Sequence, residues 1–200
     1  MGVHPLATDI ILASTSPYRR TLLERLGLTF RCEAPNVDED AAKREIADPV
    51  ALAQHLAVAK ATAVAKRFPN AVVIGSDQLA TLDDDVLGKP GSVENAIDQL
   101  ERLAGRTHEL VTAMCVMRIS DTTCLQHTDR TLLTMRPLDR DQLTRYVALD
   151  APLDCAGAYK IEAAGISLFS RIETEDFTAI MGLPLIATVR LLGECGVQIP

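Results

Sequence analysis

The chain contains no tryptophan, and aromatic residues make up only 4% of its 200 positions. Stacking platforms for single-stranded nucleic acid are therefore scarce. Basic side chains are also in the minority: 20 Lys and Arg stand against 27 Asp and Glu, a net charge of −7. An acidic surface argues against sequence-independent binding to DNA or RNA polymers, which needs a basic field against the phosphates. A small anionic ligand needs only a local cluster of cations and remains compatible with this charge. No apolar run approaches the roughly 20 residues that span a bilayer, so no membrane association is expected. The opening Met1–Ala7 lacks the basic segment and long apolar stretch of a secretory leader. The five cysteines are scattered and form no CxxC pair, which disfavours a zinc ribbon or a thioredoxin-type site. Reduced thiols in a cytoplasmic protein are the simplest reading. GxSxG is missing, and Gly88-Lys89 is followed by Pro90 rather than the Ser or Thr of a P-loop. His4, His55, His108 and His127 show no metal spacing and read as ordinary surface or core residues.

What is present is an α/β pattern. With 48% hydrophobic and 24% charged residues, 200 residues fit one compact unit, or two lobes sharing a cleft. Ile10–Ala13 reads as a buried strand feeding a helix capped by Ser16, started by Pro17 and stopped at Gly27. A turn-rich acidic segment, 34–40, precedes a helix opened by Asp48-Pro49 and running to about Arg67. Ala71–Ile74 reads as a strand with Gly75–Gln78 at its carboxyl end, followed by an acidic turn over 83–85. Further helices are expected after Ser92 and Asp139 and from about Leu183-Pro184 to Gly193. Long strands are expected over 107–119 and 123–136, and a short one over Ile166–Phe169.

Several residues could carry chemistry. Ser14–Arg20 lies at a strand–helix junction, where backbone N–H groups and the helix dipole suit a phosphate. Ser14 and Ser16 add hydroxyls. Arg19 shares the inward face of Leu22 and Leu23, whereas Arg20 points to solvent. An ordinary capped helix with two surface arginines fits this segment equally well. Lys60 falls on the apolar stripe Leu52, Leu56, Val64, where by itself a lysine is expected to snorkel outward. Asp77, at a strand's carboxyl end, could hold a metal or accept a proton from water. Lys89 is displayed by a Gly-Lys-Pro loop, and Glu39 is a second candidate metal ligand. Taken singly, both also fit solvated surface positions.

Together these pieces resemble the Maf family of nucleoside triphosphate pyrophosphatases, also called septum-formation-inhibitor-like proteins. The resemblance runs through Leu12–Leu23, Val37–Glu39, Ala59–Ala61, Ile74–Gln78, Gly88–Pro90, Ala156–Glu162 and Gly182–Leu185. It implies one domain over 1–200: a two-lobed mixed α/β fold with a central twisted sheet, flanking helices and a substrate cleft between the lobes. It also implies hydrolysis of a nucleoside triphosphate to the monophosphate and pyrophosphate, a Mg²⁺ or Mn²⁺ requirement, and a homodimer. By position, Asp77 would be the proton acceptor, acting with Lys60 and Lys89. Ser14, Ser16 and Arg19, with those two lysines, would hold the triphosphate, and Glu39 with Asp77 would hold the metal.

Tyr18, Gln78 and Glu162 resemble the branch that acts on 7-methyl-GTP. An aromatic ring over the cationic methylated base gains a cation–π contribution. A carboxylate at Glu162 can accept from the guanine N1–H and amino group. Two departures stand out: Tyr18 replaces the usual Trp, and Asp176–Gly182 lacks the Asn expected before Gly-Leu-Pro. A dTTP/UTP pyrophosphatase of the same family and a non-catalytic nucleotide-binding regulator of septum formation are the competing readings. Packing of Tyr18 on the core and pairing of Glu162 with Lys160 or Arg171 are the corresponding structural alternatives.

Overall fold

The computed structural model describes residues 8–83 and 85–199. Met1–Ala7 (with His4), Asp84 and Pro200 lie outside the described residues. The described residues form a seven-stranded mixed sheet of order β2-β1-β3-β5-β6-β7, with β4 paired to β3. The strands are β1 Ile10–Leu12, β2 Arg31–Cys32, β3 Val72–Leu82, β4 Asp85–Leu87, β5 Thr107–Arg118, β6 Thr123–Met135 and β7 Phe169–Glu173. Among the described residues six α-helices flank it: α1 Pro17–Glu24, α2 Glu39–Glu45, α3 Pro49–Ala65, α4 Val93–Leu103, α5 Arg140–Asp150 and α6 Leu185–Glu194. None of them is long and apolar enough to cross a membrane.

Local chemistry sets most of these boundaries. Ser16, Asp48, Ser92 and Asp139 each accept a backbone N–H at a helix start, as their side chains favour. Gly27 takes φ +66° just beyond α1, a conformation that costs glycine least.

The register of β3 places the cleft. β1 runs parallel to it only over Val72–Ile74, and β4 pairs only over Ala80–Leu82. Between them one edge of β3 is bare, while β5 continues along the other edge. The expected strand 71–74 is therefore only the first third of an 11-residue strand. Asp77 lies inside it, at the gap, and not at a strand terminus. The carboxyl end that matters is that of β1, whose early stop opens the sheet edge.

Alternation along β3 then assigns the faces. Val73 and Leu79 pack with the alanine-rich side of α3. Ile74 joins α1 and α6 in one cluster, and Ala80 and Leu82 join α4 and α5 in another. Ser76, Gln78 and Thr112 lie on this face between those last two clusters as a polar belt, and so separate it into two packed regions.

Three sequence expectations are corrected. The acidic segment 34–40 is not all turn, because Asp38 accepts from Ala41 N and starts α2 at Glu39. Of the expected acidic turn 83–85, Asp83 takes φ +55° and Asp85 already begins β4. Ile166–Phe169 is mostly a 3₁₀ run, Ala164–Leu168, with β7 starting only at Phe169. The reason is a tight return in which Gly165 N donates to the Lys160 carbonyl at 3.0 Å. A Cβ at Gly165 would stand 2.3 Å from that oxygen.

His108 on β5 is a buried core histidine, as expected, with 2% exposure. Its Nε2 lies 2.8 Å from Tyr159 Oη, while Nδ1 has no partner among the described residues. Burial pushes its pKa down to about 4 from an ordinary value of 6.5. The unfolded chain therefore binds the extra proton first as pH falls, and stability is lost progressively between about pH 6.5 and 4. The loss attributable to this residue is about 3 kcal/mol. Denaturant unfolding of the unsubstituted protein and His108→Gln across that window should show a shallower slope in the variant. Parallel profiles would reject the assignment.

Candidate active site

Three adjoining cavities open along the bare edge of β3, and Arg19 and Lys89 line all of them. The cavity nearest Asp77 has a volume of about 500 Å³ and takes Lys43, Lys60, Glu39 and Asp77 in its wall. A second, of about 330 Å³, is bounded by Ala13–Arg19, the β1–α1 junction. The third, of about 130 Å³, lies between the two packed regions and is lined by Tyr18, Gln78, Tyr159 and Glu162. A long polyanion with a planar head group matches that arrangement in shape and charge.

At the centre, Lys60 Nζ stands 2.6 Å from Asp77 Oδ1 and 2.7 Å from Glu39 Oε1. The expected snorkelling does not occur, because Lys60 is 7% exposed. Its position on the apolar stripe aims it at the carboxylate that β3 presents on the same face. That approach depends on Gly75, two residues before Asp77, where α3 comes so close that a Cβ would lie 2.4 Å from the Ala57 carbonyl oxygen. Burial pushes the Asp77 carboxyl up from its usual range, against the opposing pull of Lys60 and Arg19. Its second oxygen, Oδ2, is buried with no hydrogen-bond partner among the described residues. For Glu39 burial also acts upward, but Lys60, with Lys43 and Lys89, outweighs it and holds the carboxyl below its ordinary value.

The β1–α1 junction is ordered by its own serines. Ser14 Oγ accepts from Ser16 N at 3.1 Å, and Ser16 Oγ accepts from Arg19 N at 3.4 Å. Arg19 does face inward while Arg20 pairs with Glu24 on the surface. Its Nε donates to the Gly182 carbonyl at 2.9 Å, which Ser76 Oγ also reaches at 2.9 Å. This anchor fixes the guanidinium and leaves its two terminal nitrogens for an anion. Burial lowers the Arg19 pKa, opposed by Asp77 and Glu39, and an arginine stays charged throughout. Lys89 is exposed, and its loop is tied to α4 by Asn95 Nδ2 to the Pro90 carbonyl and Gln99 Nε2 to the Gly88 carbonyl, each 3.0 Å.

The structural alternatives for the head-group cavity do not hold. Tyr18 belongs to neither apolar cluster and turns its hydroxyl to Asp154, 3.4 Å from each carboxylate oxygen. Burial and the neighbouring Cys155 raise its pKa, so it stays a neutral phenol. Glu162 is exposed and unpaired among the described residues. Lys160 Nζ donates instead to the Asp150 carbonyl at 3.0 Å, and Arg171 pairs with Glu173 at 3.1 Å. Gln78 lines the cavity, but its amide N–H groups are spent on Thr112 Oγ1 and the carbonyls of Ala179 and Ile180 at 2.8–3.0 Å. It braces the 177–182 turn that carries Gly182. In place of an Asn in that turn, Asp176 accepts from Thr178 N and Ile186 N, at 2.8 and 2.7 Å, and orders the start of α6.

Two charged lining residues, Lys43 and Asp154, are not among the residues expected from the sequence. Lys43 carries no signal because it lies between the expected acidic turn over 34–40 and the helix opened by Asp48-Pro49, where no element is expected. Asp154 is a lone acid in a turn after Pro152, and nothing local distinguishes it.

The family model described as "Maf-like protein" matches residues 9–195. Among curated relatives, a protein of Xanthomonas campestris pv. campestris is 49% identical, the alignment covering 96% of this chain and 98% of the relative. One from Bdellovibrio bacteriovorus is 46% identical over 92% and 95%, and one from Pseudomonas aeruginosa 44% identical over 96% and 99%. All three carry the name 7-methyl-GTP pyrophosphatase. The match spans every element that builds the cleft, from Ile10 of β1 to Glu194 of α6, and the chain belongs to the Maf family.

Proposed function

We propose that the protein is a nucleoside triphosphate pyrophosphatase whose preferred substrate is 7-methyl-GTP. The observation that carries the substrate assignment is the pairing of an aromatic ring, Tyr18, with an unpaired carboxylate, Glu162, in the same cavity. A neutral guanine needs neither a cation–π partner nor a counter-charge, and a methylated one gains from both. The ring contributes about 0.5–1 kcal/mol where exposed and ~2 kcal/mol where desolvated. Glu162 accepts from N1–H and the exocyclic amino group, two donors that thymine and uracil do not present together.

In this reading the triphosphate runs from that cavity along Arg19 and Lys89 toward Lys60. Water adds across the α–β phosphoanhydride, releasing pyrophosphate and the nucleoside monophosphate. Asp77 Oδ2, unpartnered and beside the phosphates, orients that water and takes its proton, while Lys60 and Lys89 balance charge on the phosphates. Ser14 and Ser16 supply hydroxyl donors at the β1–α1 junction.

The donor set also fits a divalent cation, Mg²⁺ or Mn²⁺. Asp77 has an oxygen free, Glu39 is held ionised on the rim, and two carboxylates with phosphate oxygens are the usual manner of holding Mg²⁺. When bound, such an ion neutralises phosphate charge and makes nearby water more acidic. The reading includes a cytoplasmic setting, suggested by five scattered cysteines, and a homodimer, carried by the resemblance alone.

Pyrophosphate release from 7-methyl-GTP, GTP, dTTP, UTP and CTP, with Mg²⁺ or Mn²⁺, tests it. 7-Methyl-GTP should lead, and Glu162→Gln should lower its kcat/KM about tenfold or more by weakening a charge-assisted hydrogen bond. A lead for dTTP or UTP would keep the chemistry and overturn the substrate. Tight binding with no turnover of any of the five would favour the nucleotide-binding regulator.

A further inference from the structure

Asp154 stands where the head-group cavity meets the phosphate-side cavity, and it lines both. Four other residues, Ser16, Tyr18, Arg19 and Lys89, are shared in the same way, so Asp154 is the one carboxylate at the junction among the described residues. In a nucleoside triphosphate the group between base and phosphates is the sugar. A carboxylate there is repelled by phosphate, and its natural partners are hydroxyl donors. Its present contacts are weak. Tyr18 Oη is 3.4 Å from each oxygen, longer than a good O–H···O bond, and Cys155 Sγ, a weak donor, is 3.5 Å from Oδ1. Both oxygens therefore keep lone pairs for a ligand. Acidic side chains perform this task elsewhere by accepting from ribose hydroxyls.

We propose that Asp154 recognises the sugar: its two oxygens accept from the 2′- and 3′-hydroxyls and restrict the site to ribonucleoside triphosphates. The inference rests on the pyrophosphatase reading but not on the identity of the base. Tyr18 then has two roles in one side chain, its ring toward the base and its hydroxyl steadying Asp154.

The test compares ribo and 2′-deoxy substrates in matched pairs: 7-methyl-GTP with its 2′-deoxy form, GTP with dGTP, and UTP with dUTP. Full-length protein, Asp154→Asn and Asp154→Ala are assayed, and the same ratios are read as Kd by calorimetry in an Asp77→Asn background. The unsubstituted protein should favour each ribonucleotide by about tenfold or more, mostly through KM, since one charge-assisted hydrogen bond is at stake. Asp154→Ala should bring that ratio close to one in every pair and leave the 7-methyl-GTP over GTP preference intact. Asp154→Asn, which keeps the side-chain shape and one acceptor oxygen, should fall between. An unchanged ribo-to-deoxy ratio in Asp154→Ala would overturn the proposal, as would loss of the methyl preference in its place. If UTP leads the panel, the base assignment fails, while the UTP and dUTP pair still decides the sugar.

Discussion

Replacing Asp77 by Asn should lower pyrophosphate release by about 10²- to 10⁴-fold, the range associated with removing a positioned proton acceptor. Nucleotide affinity should stay within a few-fold, because Asn keeps the shape and the oxygen facing Lys60. Folding should not suffer, since burial is the largest influence on this carboxyl and works against its charged form. Turnover and calorimetric binding on the same preparation separate the outcomes. Rates within a few-fold of the unsubstituted protein would place the proton acceptor elsewhere. A parallel collapse of binding would make Asp77 an anchoring group with no role in proton transfer.

Gly75→Ala should be among the most damaging single-methyl changes in the chain. The added Cβ would meet backbone atoms, Ala57 O at 2.4 Å and Ala61 N at 2.7 Å, neither of which can swing aside. The helix itself has to move off the sheet. Overpacking of this kind costs about 3 kcal/mol. In a chain of this size that lowers the melting midpoint by about 6–12 °C. Activity should fall further than stability alone explains, because the shift carries Lys60 away from Asp77. Gly75→Val should be worse still. A melting midpoint within a degree or two of the unsubstituted protein would mean that α3 has more freedom than its packing indicates.

Much of the architecture is written locally. The starts of α1, α3, α4 and α5 follow from Ser16, Asp48, Ser92 and Asp139, whose short polar side chains satisfy N–H groups that the helix leaves unpaired. Strands β5 and β6 were legible because long runs of β-favouring residues flank a turn at Ser120-Asp121. α2 was not legible, since its first residues, Glu39 and Asp40, are also those of a solvated turn, and only the Asp38 cap and packing of Ala42 decide for a helix. The 3₁₀ run at Ala164–Leu168 was misread as strand because its register depends on a carbonyl, that of Lys160, which no periodicity encodes.

The same division holds for the site. Helical period along α1 was enough to read the inward direction of Arg19, and the short motifs in their order were enough to read the resemblance to the family. What surrounds those residues comes from the packing of distant segments. Lys60 read alone is an outward lysine, and it is the close approach of α3 to Gly75 that turns it onto Asp77 and Glu39. Gln78, expected as a substrate contact, lines the head-group cavity and also holds the 177–182 turn through its amide nitrogen. Asp154 acquires meaning only because it closes the angle between two cavities built from segments 136 residues apart. Desolvation and charge pairing depend on neighbours in space, and those neighbours are supplied by distant parts of the chain.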